Sequence, residues 1–456
     1  MTPELISIVA LILLFVVGTV LPINMGALGF VAAWFVGMYA LGLTEREIIG
    51  GISGDLVLTL VGVTYLFAIA RNNGTVDLIV SGAVRLVGGR VALIPWVMFA
   101  VTAVLTAIGA ASPAACAIVG PIALGFAGRH RISPLMMGMF VVHGAQAGGF
   151  SPISIYGVIT NSVMAENNLP VNELAIFLTS LVVNLAIAIA LFFALGGRQL
   201  ASRRVGHDEP QEETPDTDRS TDAGPTNPAD GDSGSITPTG GGGTMTETRG
   251  ETTVARRRLT DQVITLVAFV AVAFVALVFE RNIGFAAITA AVILTALFPK
   301  EQKGAIKQIA WSTVLLVAGV STFATILNAA GAPEAVGMWA AGLGTVLIGA
   351  LVLCYVGGIT SAFASSTALL PIIVPISIPL IATGEVSAVA VVAALAVAST
   401  IVDVSPFSTN GALMVANRPD TITEERYYKQ VLYYSVLVTL VGPLLVWAAI
   451  VVPGWI

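Results

Sequence analysis

The sequence predicts an all-α polytopic membrane protein made of two inverted repeats, each of five transmembrane helices plus one re-entrant hairpin. Three observations carry that prediction. Hydrophobic residues fill 56% of the 456 positions and charged residues only 11%, a balance found in bundles of apolar spans and not in soluble domains. One long polar stretch then divides the apolar sequence into two arms. Finally, residue patterns recur between the arms in the same order and at a near-constant offset, the signature of an internal duplication.

The elements follow in chain order. The opening MTPELISIVALILLFVVGTV is apolar, with no Lys or Arg ahead of it and no small-residue cleavage pattern. It therefore reads as a retained first span and not a signal peptide. Further spans fall near 24–43, 55–71, 133–165 (interrupted) and 172–196. Between the third and fourth, two apolar runs over 90–128 meet at GAASPAA and read as a re-entrant hairpin. Five crossings, or seven if that pair spans fully, is an odd number, so the second arm is inverted. Residues 198–258 turn to Asp, Glu, Thr, Gly, Pro and Ser and should form a disordered linker. Eleven of the 27 acids lie there, between Asp208 and Glu251, so the net charge of -6 says nothing about an acidic or basic partner. Nothing points to nucleic acid. Cys116 and Cys354, the two cysteines, sit in apolar runs and read as packing residues.

The duplication is seen residue by residue. Asn24 matches Asn282, and Gly62-Val63-Thr64 with Gly74 match Gly319-Val320-Ser321 with Gly331. Thr106, Ser112, Pro121 and Ile122 match Thr360, Ser366, Pro375 and Ile376, and S-P-x-S-x-x-G occurs at Ser151–Gly157 and again at Ser405–Gly411. Charge supports the inversion. With the linker in the cytoplasm, of the 21 Lys and Arg only Arg46 and Arg281 fall outside, a strong positive-inside bias. The expected location is a cell inner or plasma membrane, with a cytoplasmic linker and both termini outside. Inverted repeats in such a protein point to alternating access, hence to transport.

Ser-Pro pairs at Ser112-Pro113, Ser151-Pro152 and Ser405-Pro406 interrupt apolar runs, and Ser366-Thr367 is the repeat-related fourth. Ser favours the N-cap and Pro the first helical position, so each pair should stop one helix and start another within the membrane. Irregular backbone at that depth is tolerated where it lines a cavity or is buried in protein. Four converging helix N-termini, each worth about half a positive charge, suit a small dianion without any Lys or Arg. The substrate-binding candidates are Ser112, Pro113, Ser151, Ser154, Tyr156, Ser366, Thr367, Ser405, Ser408, Thr409 and Asn410. Hydroxyls and helix carbonyl ends also suit a hard cation, with Ser112, Gly148, Ser151, Ser366, Asp403 and Ser405 as sodium candidates.

Asp403 is the acid well inside an apolar span, and such acids are costly and usually functional. It holds a cation, carries a proton, or braces the broken helix. His143 in VVHGAQAGG reads as a packed histidine, with proton coupling alongside Asp403 as the alternative. An enzyme is not expected, because one buried acid and no G-x-S-x-G offer neither an aspartyl dyad nor a serine nucleophile elbow. No cofactor is expected beyond the coupling ion, sodium or else a proton. A signalling scaffold built on the acidic linker would leave the duplicated broken helices without a purpose.

GVTYLFAIARNNGTVDLI, the run from GAASPAACAIVGPIALGF to SPISIYG, and TSAFASSTALLPIIVPISIP resemble the MatC-type dicarboxylate carriers of the divalent anion:sodium symporter superfamily. The resemblance covers nearly the whole chain except the linker. Superfamily hairpin tips carry Ser-Asn-Thr; Ser365-Ser366-Thr367 is similar to that triplet, whereas Ala111-Ser112-Pro113 departs from it. The resemblance implies a lipid-embedded homodimer importing small dicarboxylates such as malonate with sodium, by an elevator-like movement. Proton-coupled anion transport or export within the same superfamily is the alternative. It further implies a scaffold half (1–89) and a transport half (90–197, hairpin 90–128) in the first repeat. After the linker come a second scaffold half (259–335) and transport half (336–456, hairpin 336–382). Polar side chains at broken helices do not separate malonate from succinate or malate.

Overall fold

The computed structural model describes residues 2–21, 23–86, 90–201, 247–279, 281–299, 304–342, 344–363 and 366–456. It is all-helical. The first arm contains α1 (Pro3–Val20), α2 (Met25–Ala40), α3 (Glu45–Gly50), α4 (Gly54–Asn72), α5 (Thr75–Leu86) and α6 (Leu93–Ala107). It continues with α7 (Ser112–Arg129), α8 (Pro134–Gly148), α9 (Ile155–Glu166), α10 (Glu173–Ala194) and α11 (Gly197–Ala201). The second arm contains α12 (Glu247–Phe279), α13 (Ile283–Leu297), α14 (Trp311–Ala329), α15 (Ala332–Ala341) and α16 (Val346–Phe363). Then follow α17 (Ser366–Ile376), α18 (Ile378–Ile381), α19 (Ala388–Thr400), α20 (Thr409–Ala416) and α21 (Glu424–Val446). Among the described residues, seven helices are long and apolar enough to cross a membrane, so the chain is a multi-pass membrane protein.

The spans read from hydropathy are all present as helices, and the interrupted run over 133–165 is the pair α8 and α9. Linker residues 202–246 lie outside the described part. The linker's ends are helical, at α11 and at the start of α12, which begins inside the stretch read as disordered. Thr-Val-Ala-Arg-Arg-Arg at 253–258 has adequate helix propensity and runs straight into an apolar span, so the helix extends past the hydropathy boundary. Span reading also passed over α5 and α15, which are too short to register as crossings. The duplication marked their start, however. Gly74 and its partner Gly331 both take left-handed φ (79° and 73°), which glycine adopts without the Cβ penalty that other residues carry.

Two helix crossings join the arms. At α2 on α14, a Cβ on Gly26 would fall 2.0 Å from the Leu315 carbonyl, and one on Gly319 1.8 Å from that of Gly26. At α4 on α13, a Cβ on Gly62 would lie 2.7 Å from the Gly284 carbonyl, and one on Gly284 2.8 Å from Thr59 N. Glycine is required at these close approaches, the small-residue packing typical of membrane helices. Flanking asparagines repeat the pattern. Asn24 Nδ2 donates to the Ser312 carbonyl at 3.1 Å, and Asn282 Nδ2 donates to Asp55 Oδ1.

α6 packs on α7 and both pack on α8; α16 packs on α17 and both pack on α19. Each two-helix hairpin therefore lies against its own broken helix. α7 and α20 also pack together, as do α17 and α9, so the tips of the two arms interleave.

Candidate functional site

The two S-P-x-S-x-x-G motifs build the same turn. In the first, α8 ends at Gly148 and α9 starts at Ile155. Ser154 caps α9: its Oγ accepts from Gly157 N and donates to the carbonyls of Gly149 and Ser151. Ser408 caps α20 identically, accepting from Gly411 N at 3.2 Å and donating to the carbonyls of Asp403 and Ser405 at 2.6 and 2.7 Å. The closing glycine is obligatory, since a Cβ on either Gly157 or Gly411 would fall 2.0 Å from the carbonyl oxygen of Ser151 or Ser405.

This corrects the expectation that the Ser-Pro serines are the caps. Pro152 and Pro406 occupy the turn between the half-helices, two residues before the cap. Ser151 Oγ instead donates to the Ala107 carbonyl at the end of α6, and Ser405 Oγ accepts from Phe407 N at 3.2 Å. Ser112 is also inside its helix, not capping it; Ala111 is the N-cap of α7 and makes no side-chain cap bond. Proline fits the second helical position as well as the first, because neither N–H has an intrahelical acceptor.

Across the repeats, two positions reach to the opposite arm. Tyr156 and Asn410 are counterparts (410 − 156 = 254). Tyr156 OH donates to Asp403 Oδ2 at 3.2 Å, and Asn410 Nδ2 donates to Ser112 Oγ at 2.9 Å. Asp403 also receives Ser366 Oγ, 2.8 Å from each carboxyl oxygen, and Ser366 Oγ lies 2.7 Å from Ser361 Oγ. Asn410 Oδ1 is buried and unpartnered.

Two adjoining cavities meet at these residues. The first, about 430 Å³, is lined by Ser112, Pro113 and Ala114 of α7, Ile155 and Tyr156 of α9, Thr367 of α17 and Thr409 of α20, with Ser312, Thr313 and Leu316 of α14 opposite. The opening turns of all four interrupted helices therefore reach one space. The second, about 420 Å³, shares Pro113, Tyr156 and Thr409 with it and adds Ser366, Asp403, Phe407, Ser408 and Asn410, closed by Gly18, Thr19 and Met25. Among the described residues, neither is lined by Lys, Arg or His.

Of the sequence candidates, Ser112, Pro113, Tyr156, Ser366, Thr367, Asp403, Ser408, Thr409 and Asn410 line one or both cavities. Ser151, Ser154 and Ser405 make the backbone contacts given above. Gly148 packs against α6, where a Cβ would fall 1.9 Å from the Ala103 carbonyl. Ser365 lies outside the described residues. His143 is fully buried away from both cavities, with Nδ1 2.8 Å from Asn184 Oδ1 and Nε2 2.6 Å from Tyr434 OH. Its partners lie on α10 and α21, and no local motif announces them. Ser312, Thr313 and Thr19 are site residues that sequence reasoning missed. Each is an ordinary polar residue at a helix end, and only the crossing of α1, α2 and α14 over the broken helices brings them in.

A third cavity of about 610 Å³ lies on the other side of the first turn, with Pro152 in its wall. Asp55, Asn161, Glu166, Arg281 and Asn282 also line it, and both side-chain atoms of the buried Asn161 are unpartnered. Here the arm segments are tied: Ser53 Oγ donates to Glu166 Oε1, and Ser162 Oγ to Asp55 Oδ2 at 3.5 Å.

The site is thus a pair of cavities at the breaks of a polytopic helical membrane protein, lined by hydroxyl and amide side chains among apolar ones. Residues 1–149 match the family model described as the N-terminus of the dicarboxylate carrier protein MatC, a stretch running from α1 to the α8–α9 break. No curated protein matches the sequence. Among solved structures, the chain is similar to the YdaH transporter of Alcanivorax borkumensis, at 13% identity, over 90% of this chain and 88% of that one, with a TM-score of 0.49.

Proposed function

We propose that the protein is a secondary active transporter importing small dicarboxylates such as malonate, coupled to sodium. The observation that carries this reading is the cavity of about 430 Å³ reached by the first turns of α7, α9, α17 and α20. Each N-terminus contributes about half a positive charge, so the four together offset about two negative charges. Hydroxyl and amide groups of Ser112, Thr367 and Thr409 supply neutral donors. A dianion bound this way needs no cationic side chain, and there is none among the described residues of the wall. The MatC match over residues 1–149 supports the substrate class. Asp403, set among hydroxyls in the adjoining cavity, is the natural seat for the coupling cation.

In this reading the arms are inverted repeats, and the reciprocal crossings of α2 on α14 and α4 on α13 form a scaffold. The hairpins and broken helices form the moving part of an elevator, in a homodimer of the plasma membrane with a cytoplasmic linker. Gly18, Thr19, Met25, Ser312 and Thr313 then stand at cytoplasmic helix ends, so the site faces inward. Proton coupling is the second reading, favoured by the same isolated carboxyl of Asp403.

The test is radiolabelled malonate uptake into proteoliposomes under a sodium gradient or a proton gradient, in turn. Uptake driven by sodium alone is expected. Uptake driven only by protons would transfer the coupling to Asp403 as a proton carrier, and none under either would sink the import reading.

A further inference from the structure

Tyr156 stands where the two cavities join and lines both. Its hydroxyl donates to Asp403, which the hydroxyls of Ser366 and Ser361 also hold. Among the described residues lining these cavities there is no Lys, Arg or His. A carboxyl at this depth held only by hydroxyls has no counter-charge in the protein, which favours a cation from solution. The arrangement is also one-sided. The counterpart of Asp403 in the first repeat is Gly149 (403 − 254), while the counterpart of Tyr156 is Asn410, which reaches to Ser112 instead. Both repeats have the reach across; one alone has an acid at its end.

A phenol has a single O–H to donate. Tyr156 therefore satisfies either Asp403 or an anion in the neighbouring cavity, not both. We propose that Tyr156 is the residue that couples cation occupancy at Asp403 to substrate affinity. A cation on the carboxyl releases the Tyr156 hydroxyl, which then donates to a substrate carboxylate. The inference rests on the dicarboxylate-carrier reading and adds to it the side chain through which the cation acts on the substrate. Without the cation, the substrate meets an occupied hydroxyl and a like charge across a space of low dielectric. With the cation, both obstacles are removed by one event. Such coupling is reciprocal, so substrate tightens cation binding by the same factor. A tyrosine that only braced the turn, through its ring 5.5 Å from that of Phe150, would alter stability and maximal rate but would leave that linkage intact.

The experiment compares wild type with Tyr156→Phe in two measurements. In detergent, the melting temperature is followed as sodium chloride replaces choline chloride. The variant should reach half-saturation at roughly tenfold lower sodium, because the lost hydrogen bond to a charged group no longer competes. Asp403→Asn should abolish the sodium-dependent shift in either background. In proteoliposomes, the malonate KM of the wild type should fall as sodium rises, whereas that of Tyr156→Phe should be higher at saturating sodium and insensitive to it. Unchanged or weaker sodium binding in the variant, no sodium-dependent shift in the wild type, or a variant KM that still follows sodium would each overturn the proposal. Absence of malonate uptake by the wild type would instead defeat the carrier reading, and the sodium titration would still decide whether Tyr156 competes for Asp403.

Discussion

At the scale of single residues, Ser366 at the start of α17 and Ser405 in the second turn have different work and should fail differently. Ser366 holds both oxygens of Asp403, whereas Ser405 accepts from the Phe407 amide. Ser366→Ala leaves a buried carboxyl without its closest donor and should stop malonate uptake in protein that still reaches the membrane. Ser405→Ala removes one local turn bond and should cost about 1 kcal/mol of stability while retaining measurable uptake. Equal uptake by both variants, assayed side by side in proteoliposomes, would contradict this division. Gly157 gives a second contrast. A methyl there collides with the Ser151 carbonyl, whereas one on Gly125 of α7 meets nothing within 4 Å. Gly157→Ala should therefore lose about 1–3 kcal/mol by overpacking, and Gly125→Ala should be neutral or slightly stabilising, as thermal melts of the two would show.

At the scale of elements, the breaks were legible because their chemistry is local. Serine, proline and glycine at fixed spacing announce an interrupted helix, and the repeat at Ser405–Gly411 removed the reading of an accidental kink. Which serine caps was not legible, because Ser-Pro fits a cap followed by a first helical position and a turn before a cap equally well. The partners of Asp403 and His143 were not legible either. Ser366 and Asn184 lie 37 and 41 positions away in sequence, Tyr156 and Tyr434 247 and 291, and such separations leave no periodic trace. Glycine-mediated crossings were half visible: Gly62 and Gly319 appeared as a matched pair, but not the fact that each meets a glycine of the opposite arm. Gly319→Leu should separate α14 from α2 and prevent the arms from assembling, whereas Gly82→Leu, in open space on α5, should not. Yield of monodisperse protein after detergent extraction distinguishes them.

At the scale of the whole molecule, the two faces of the first broken helix are unequal. On one side the polar cavity reaches Ser312 and Thr313; on the other, Ser53 is bonded to Glu166 and Ser162 to Asp55. Ser53 and Asp55 stand at the start of α4, which packs on α13 and belongs to the scaffold in the proposed elevator, while Ser162 and Glu166 belong to α9. If α9 moves with the site, as the elevator reading requires, these bonds must break in every cycle. Hydrogen bonds to carboxylates are worth at most about 3 kcal/mol each, less where they are exposed as here, and suit a contact made and released repeatedly. A covalent tie would not be released. With Cys116 and Cys354 replaced by alanine, cysteines at positions 53 and 166 should cross-link under mild oxidation and hold the inward-facing state. Uptake should then stop, and return on reduction. Full uptake by the cross-linked protein would mean that α4 and α9 travel together, and the moving boundary would have to be drawn elsewhere in the fold.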